Sequence, residues 1–150
     1  MKLEDELKQT KPFKGEFQKL MLNIAHTGSW FNNVMSENLR HYDLSHPQFN
    51  VLRILKGKYP ESYCNSEITQ RMIDKSSNVT RIIDKLLEKK LVIRRENPED
   101  RRQVSIQIIK SGLELLDKIE NSNSFNELKN IHFDEDKAKL MNEWLDELRG

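Results

Sequence analysis

Residues 66–108 read SEITQRMIDKSSNVTRIIDKLLEKKLVIRRENPEDRRQVSIQI, and their pattern decides the fold. Ser66 is a good N-cap, and Ile68, Met72 and Ile73 give the short helix behind it an apolar side. Asp74-Lys75-Ser76 makes a tight turn. Ser76 or Ser77 then caps a second helix, which buries Val79, Ile82, Ile83, Leu86 and Leu87 and turns Asn78, Arg81, Lys85 and Glu88 outward. Two short helices joined by a turn of about three residues have the dimensions of a helix-turn-helix. The period then changes. Leu91-Val92-Ile93 is a short apolar run, and Val104-Ser105-Ile106-Gln107-Ile108 alternates with period two. Between them Asn97-Pro98-Glu99-Asp100-Arg101-Arg102 is polar and opens on an Asn-Pro turn signal. That is a β-hairpin with a charged tip, and a helix-turn-helix followed by a hairpin is a winged helix.

On the N-terminal side, Phe13, Phe17, Leu20, Met21, Ile24, Phe31, Val34, Met35, Leu39 and Tyr42 recur at three- and four-residue steps, which predicts a long amphipathic helix over residues 14–42. Gly28 interrupts it and marks a kink or a close packing contact. Ser45-His46-Pro47 starts another helix, with Pro at the first helical position, running to about Lys58 with Phe49, Leu52 and Leu55 inward. Residues 59–65 read as a polar loop. Beyond the hairpin, Leu113, Leu116 and Ile119 restore a helical period, continuing less cleanly to Leu128. Phe133-Asp134 starts a last helix, with Glu135 and Asp136 in its first turn and Leu140, Met141, Trp144, Leu145 and Leu148 along one face. The expected architecture is mainly α with a small β-hairpin wing. It forms a single subunit over residues 1–150, with a lobe at about 45–110 and long flanking helices at about 14–42 and 111–150. The apolar stripes of those flanking helices exceed what one small lobe can bury, which predicts a homodimer.

A chain of 150 residues with 33% charged and 36% hydrophobic side chains and a mean hydropathy of −0.77 is long enough to bury a core without disulfides or structural metal. No apolar run approaches a membrane span, and residues 1–6 lack an apolar signal region, so the expected location is cytoplasmic. The formal net charge is +1, unevenly spread. Residues 1–64 carry +2, residues 65–110 carry +4 from 11 basic and 7 acidic side chains, and residues 111–150 carry −5. A basic middle beside an acidic end suits a segment that faces nucleic acid next to one that avoids it.

Arg and Asn have forked groups that fit guanine and adenine edges, while Ser, Thr and Lys suit phosphates. Asn78, Arg81 and Lys85 are therefore the base-reading candidates, and Ser66, Lys75, Ser77 and Thr80 the candidates for contacts to the DNA backbone. Ser66-Glu67-Ile68, Asn78 through Leu86, Glu88-Lys89-Lys90-Leu91-Val92 and Asp100-Arg101-Arg102 through Gly112 together resemble the MarR family of bacterial transcriptional regulators, over about residues 14–150. The resemblance implies a homodimer that binds a pseudopalindromic double-stranded DNA operator and represses or otherwise regulates transcription. It also implies wing contacts from Arg101 and Arg102, with Arg102 entering the minor groove and Asp100 orienting it. Two positions depart from the family pattern. Lys90 stands where a Gly is usual between recognition helix and wing, which removes the easiest left-handed cap and lengthens the helix end. Ile109 stands where a Thr usually opens the helix after the wing, leaving that end to Ser111 or Lys110.

Many relatives bind a small aromatic effector between the dimer helices and the DNA-binding lobe. His26, Trp30, Tyr42 and Phe49 could line such a pocket or belong to the core. Cys64 falls in a loop with no adjacent basic residue to activate it, unlike the cysteine of oxidation-sensing relatives. His41, His46 and Cys64 match no metal-binding spacing, so neither a metal nor another cofactor is expected. No phosphate-cradling Gly loop, His-Glu-x-x-His or nucleophile elbow is present, which argues against an enzyme. The alternative function is a winged-helix protein-interaction module that never touches DNA. Steep salt dependence of DNA binding separates the two.

Overall fold

The computed structural model of the protein describes residues 2–96, 104–122 and 134–150. Helix α3, His46–Lys56, is the centre of the lobe and buries Phe49, Val51, Leu52 and Leu55. Its start is set by a reciprocal cap. Ser45 Oγ accepts from the Gln48 backbone N–H at 3.4 Å, and Gln48 Oε1 accepts from the Ser45 N–H at 2.9 Å. Packed on α3 are α4 (Asn65–Arg71), α5 (Val79–Glu88), α6 (Lys110–Glu120), strand β3 (Val104–Ile108) and the C-terminal end of α2 (Glu16–Arg40). Leu39, Leu52, Leu55, Ile68, Ile83, Leu86, Ile106, Ile108, Leu116 and Ile119 are fully buried in one cluster.

Strand β2, Val92–Glu96, pairs antiparallel with β3 in the register Val92↔Ile108, Arg94↔Ile106 and Glu96↔Val104. The far side of β3 pairs with a two-residue strand, β1 (Tyr63–Cys64), through Tyr63↔Ile106. The wing is thus the outer hairpin of a three-stranded sheet ordered β1-β3-β2. The stretch expected to be only a loop contributes its third strand, and Cys64 sits in that strand. Gln107, nearly buried, donates from Nε2 to the Pro60 carbonyl and so fixes the loop before β1 to the sheet.

Several local expectations are corrected. Cys64, not Ser66, precedes α4, and the Glu67 carboxylate accepts from its backbone N–H at 2.8 Å, leaving Ser66 inside the first turn. Asn78, not Ser76 or Ser77, caps α5, because the Asp74 carboxylate accepts both serine hydroxyls, at 2.7 and 3.2 Å. Ile73 is 77% exposed in the turn between the two helices; only Ile68 and Met72 of that trio are buried. Helix α3 stops at Lys56 and opens on His46, with Pro47 second. Helix α2 runs unbroken past Gly28, and a Cβ placed there meets nothing within 4 Å.

Helix α5 is not lengthened by the absence of a Gly. Lys90 itself adopts φ +55°, its N–H donating to the Leu87 carbonyl at 2.9 Å and that of Leu91 to the Leu86 carbonyl at 3.1 Å. That pair of bonds is a Schellman closure made with a lysine. Asp43, at φ +52°, closes α2 in the same way, through Asp43 N–H to Arg40 and Leu44 N–H to Leu39. Lys89 Nζ donates to both the carbonyl and the carboxylate of Asp43, so the two closures meet. Helix α6 begins after Ile109 with no side-chain cap, and Ser111 instead donates from Oγ to the Lys90 carbonyl at 2.6 Å.

A short N-terminal helix, α1 (Leu3–Glu6), was not foreseen. It buries Leu3 and is held to α2 by Glu4–Lys19 at 2.5 Å and Glu6–His26 at 2.6 Å. The Lys19 ammonium bonded to Glu4 lowers that carboxyl below its usual range. The last helix, α7 (Glu135–Arg149), is capped by Asp134, whose carboxylate accepts the Asp136 N–H at 3.0 Å. Its apolar stripe faces outward: Leu140, Met141, Leu148 and Trp144 are exposed, Trp144 by 60%. On α2, Phe17, Leu20 and Met21 are exposed as well. No helix among the described residues is long and apolar enough to cross a membrane.

Candidate nucleic-acid interface

Helix α5 turns Val79, Ile83 and Leu86 into the core, so residues on the opposite arc must face out. Asn78, Thr80, Arg81 and Lys85 are exposed there, and Ser77 is half-buried. Ser77, Asn78, Arg81 and Lys85 border one open cleft of about 340 Å³. Its opposite wall is the first turn of α3, with Ser45, Pro47 and Gln48. Among the described residues no acidic side chain lines this cleft.

The hydrogen bonds sort the candidates. Asn78 Oδ1 accepts the Arg81 backbone N–H at 3.1 Å, so one arm of its amide is committed to capping α5. Bidentate reading of adenine needs both arms, which makes Asn78 a weaker reader than its residue type suggested. Lys85 pairs with Glu88 at 2.8 Å, and Lys75 Nζ donates to the Gln70 carbonyl. The Ser77 hydroxyl is taken by Asp74. Asp74 lies below the usual carboxylate range, chiefly because Ser76 donates to it. Ser66 stands at the start of α4 with its Oγ 2.9 Å from Cys64 Sγ, away from the cleft. The Arg81 guanidinium alone among the cleft's cations makes no hydrogen bond or ion pair with any described residue. Asp100, Arg101 and Arg102 lie outside the described residues. Behind them, Arg94 pairs with Asp84 and ties the wing to α5, while Arg95 is exposed on the same strand.

The four residues that could line an effector pocket or belong to the core are divided between two places. Phe49 is buried in the core of the lobe, and Tyr42 packs against that core with Lys118 Nζ 5.9 Å from its ring centre. His26 and Trp30 lie instead along the groove between α1 and α2. A different cavity, of about 390 Å³, separates α2 from the helix-turn-helix and is lined by Asn32, Ser36, His46, Asn50, Ile73 and Asp74 among others. The Asn50 side chain accepts the Ile73 N–H at 3.1 Å across it. These residues come from three separate segments, so no local pattern announced them. Burial pushes the half-buried His46 imidazole below its ordinary value. His41, His46 and Cys64 form no cluster, and no three His, Cys, Asp or Glu side chains among the described residues are placed to hold a metal.

The MarR family model matches residues 44–104, from just before α3 to the first residue of β3. The HTH-type transcriptional regulator MhqR of Bacillus subtilis (strain 168) is 31% identical over 103 residues, which are 67% of this chain and 68% of that protein. The HTH-type transcriptional repressor IacR of Pseudomonas putida is 30% identical over 97 residues, 65% of this chain but only 57% of that protein. In fold, the chain is similar to a mutant MarR from E. coli in a crystal complex with operator DNA. The TM-score is 0.74 at 22% identity, covering 92% of this chain and 99% of that one. These proteins are transcription regulators rather than enzymes.

Proposed function

The chain belongs to the MarR family of transcriptional regulators, and from that premise we propose that it is a homodimeric repressor of a pseudopalindromic double-stranded DNA operator. The observation that carries the proposal is Arg81, exposed on the outer face of the second helix of the helix-turn-helix with its guanidinium unpaired among the described residues. A free planar fork near the start of that helix suits a guanine edge in the major groove. Thr80, Lys75 and Ser66 are the flanking contacts to phosphate. Arg101 and Arg102, with Asp100 as the orienting acid, are the wing contacts implied by the family resemblance. The operator complex of the E. coli relative and the repressor name of the P. putida relative point the same way.

The dimer rests on exposed apolar surface. Leu20 and Ile24 of α2 and Met141, Trp144, Leu145 and Leu148 of α7 border an open apolar cleft of about 730 Å³. A second copy of the same two helices would cover it. Release by a small ligand belongs to the same proposal. Its place is the cavity between α2 and the turn, since a ligand there bears on both the dimer helix and the reading head.

Selection of duplexes from a random pool, followed by anisotropy over a salt series and sedimentation at micromolar protein, tests the proposal. Enrichment of an inverted repeat, log affinity falling linearly with log salt, and a dimer are the expected outcomes. No enrichment and no salt-dependent binding would leave the protein-interaction module as the reading.

A further inference from the structure

We propose that Gln48, with Ser45, makes the cleft between α3 and α5 a seat for a phosphate of the DNA backbone, opposite the cations of the recognition helix. The inference rests on the DNA-binding reading and adds to it a second wall that belongs to neither the helix-turn-helix nor the wing. Three observations carry it. Among the described residues the cleft lining holds Arg81, Lys85 and no acid; Lys85 is paired outside it with Glu88, so the Arg81 guanidinium is the charge left complementary to a phosphodiester. Arg81 makes no bond to any described residue. Finally, the reciprocal cap uses only the acceptors of its two side chains. Ser45 Oγ and Gln48 Oε1 both accept backbone N–H groups, which leaves the serine O–H and the two Gln48 Nε2 hydrogens in the cleft wall as donors that no described residue takes up. One wall then supplies positive charge and the other neutral donors, a combination that grips an anion and offers a cation nothing.

The same cap makes the test clean. Gln48→Glu keeps the reciprocal cap, because glutamate fills that position equally well and its charge favours the first turn of a helix. The variant is expected to melt no lower than the wild type. Its carboxylate, however, replaces two donors with negative charge in the proposed seat. Binding to a fluorescein-labelled mixed-sequence duplex at low salt is expected to weaken by about tenfold for a dimer with two clefts, with a shallower salt slope. Gln48→Lys should move affinity and slope the other way. Inorganic phosphate should displace the duplex no better than chloride at matched ionic strength, since the seat is fitted to a phosphate fixed in the duplex. A merely structural role for Gln48 would move stability and affinity together, and both charge variants in one direction. If both variants bind as the wild type does while Arg81→Ala still loses affinity, the seat is refuted and DNA reading stands. If the wild type shows no salt-dependent duplex binding, both fall.

Discussion

Gly112→Ala should destabilise the protein although it places a better helix former in a helix. Gly112 lies in the first turn of α6, where that helix crosses the junction between α5 and the wing. An added Cβ would sit far inside contact distance of the Leu91 carbonyl oxygen and 2.7 Å from Cγ1 of Ile108. Neither neighbour can swing away. The Leu91 carbonyl already accepts the Ile109 N–H at 3.2 Å, and Ile108 is fully buried. Relief requires α6 to retreat by several tenths of an ångström or more, which strains the Ser111–Lys90 bond of 2.6 Å beside it. Overpacking of this kind costs roughly 1–3 kcal/mol or more, and the helical preference of Ala returns at most about 1 kcal/mol. A net loss of about 2 kcal/mol follows, or a fall in Tm of about 4–8 °C for a chain of this size. Urea and thermal unfolding by circular dichroism, at one protomer concentration for all samples, measure it. Gly28→Ala is the internal comparison. Its Cβ meets nothing within 4 Å in the middle of α2, so the same substitution should stabilise there by up to about 1 kcal/mol. A Gly112→Ala protein as stable as the wild type would refute the packing argument.

Lys90→Gly should stabilise by about 0.5–1 kcal/mol, because the position is held at φ +55° and glycine adopts that geometry without strain; the urea midpoint reads it, and a loss would mean that the lysine side chain is needed. Arg81→Ala should cost far more affinity for a selected operator than for shuffled duplex, whereas Lys75→Ala should weaken both alike; equal effects in competition binding would reduce α5 to an electrostatic anchor. The buried-side depression of His46 sets a sign for acid. A folded-state pKa below the unfolded value of about 6.5 means that the unfolded chain takes up the proton first. Stability from this group is therefore complete above pH 6.5 and is lost as pH falls through the folded value. His46→Asn should flatten the urea midpoint as pH falls below about 6.5, and a curve parallel to the wild type would exclude the group.

The elements legible in the sequence were those whose cause is local. Residues 79–88 alternate faces at helical period strongly enough that burial of Val79, Ile83 and Leu86 could hardly fall otherwise. What escaped was decided by partners distant in the chain. Tyr63 and Cys64 form a strand only because Ile106 and Ser105 stand opposite them. Three good capping residues in a row, Ser76, Ser77 and Asn78, carry no information on which one caps, and the Asp74 carboxylate settles it by taking both hydroxyls. The left-handed Lys90 violates local preference because Leu91 must turn into the core immediately behind α5. The aromatic set His26, Trp30, Tyr42 and Phe49, open between pocket and core in the sequence, divides for a related reason. Helical spacing fixes which residues share a face of one helix, yet Phe49 sits on another helix whose inner face the lobe needed for its core. Gln48 was missed as a candidate because its place opposite Arg81 depends on how α3 and α5 pack.

Helix α5, proposed above as the reading head, is tied to other elements at its C-terminal end and presents Arg81 near its start. At the C-terminal end of α5, Lys89 reaches Asp43, Leu91 enters the core, Ser111 bonds the Lys90 carbonyl and Gly112 admits α6 to close contact. Exposed ion pairs such as Lys85–Glu88 contribute little to holding a helix, on the order of 0–1 kcal/mol. The orientation of α5 comes instead from its core face, Val79, Ile83 and Leu86, and from the two left-handed closures behind it. Both closures lie on the side where α2, the helix with the exposed apolar face, meets the lobe. Asp43 and Lys89 link the end of α2 directly to the end of α5. The N-terminal end of α5, with Arg81 unpaired among the described residues, is then free to meet a ligand on a rigid support. A helix fixed at its base and unpaired at its tip can read a surface without rearranging its own core.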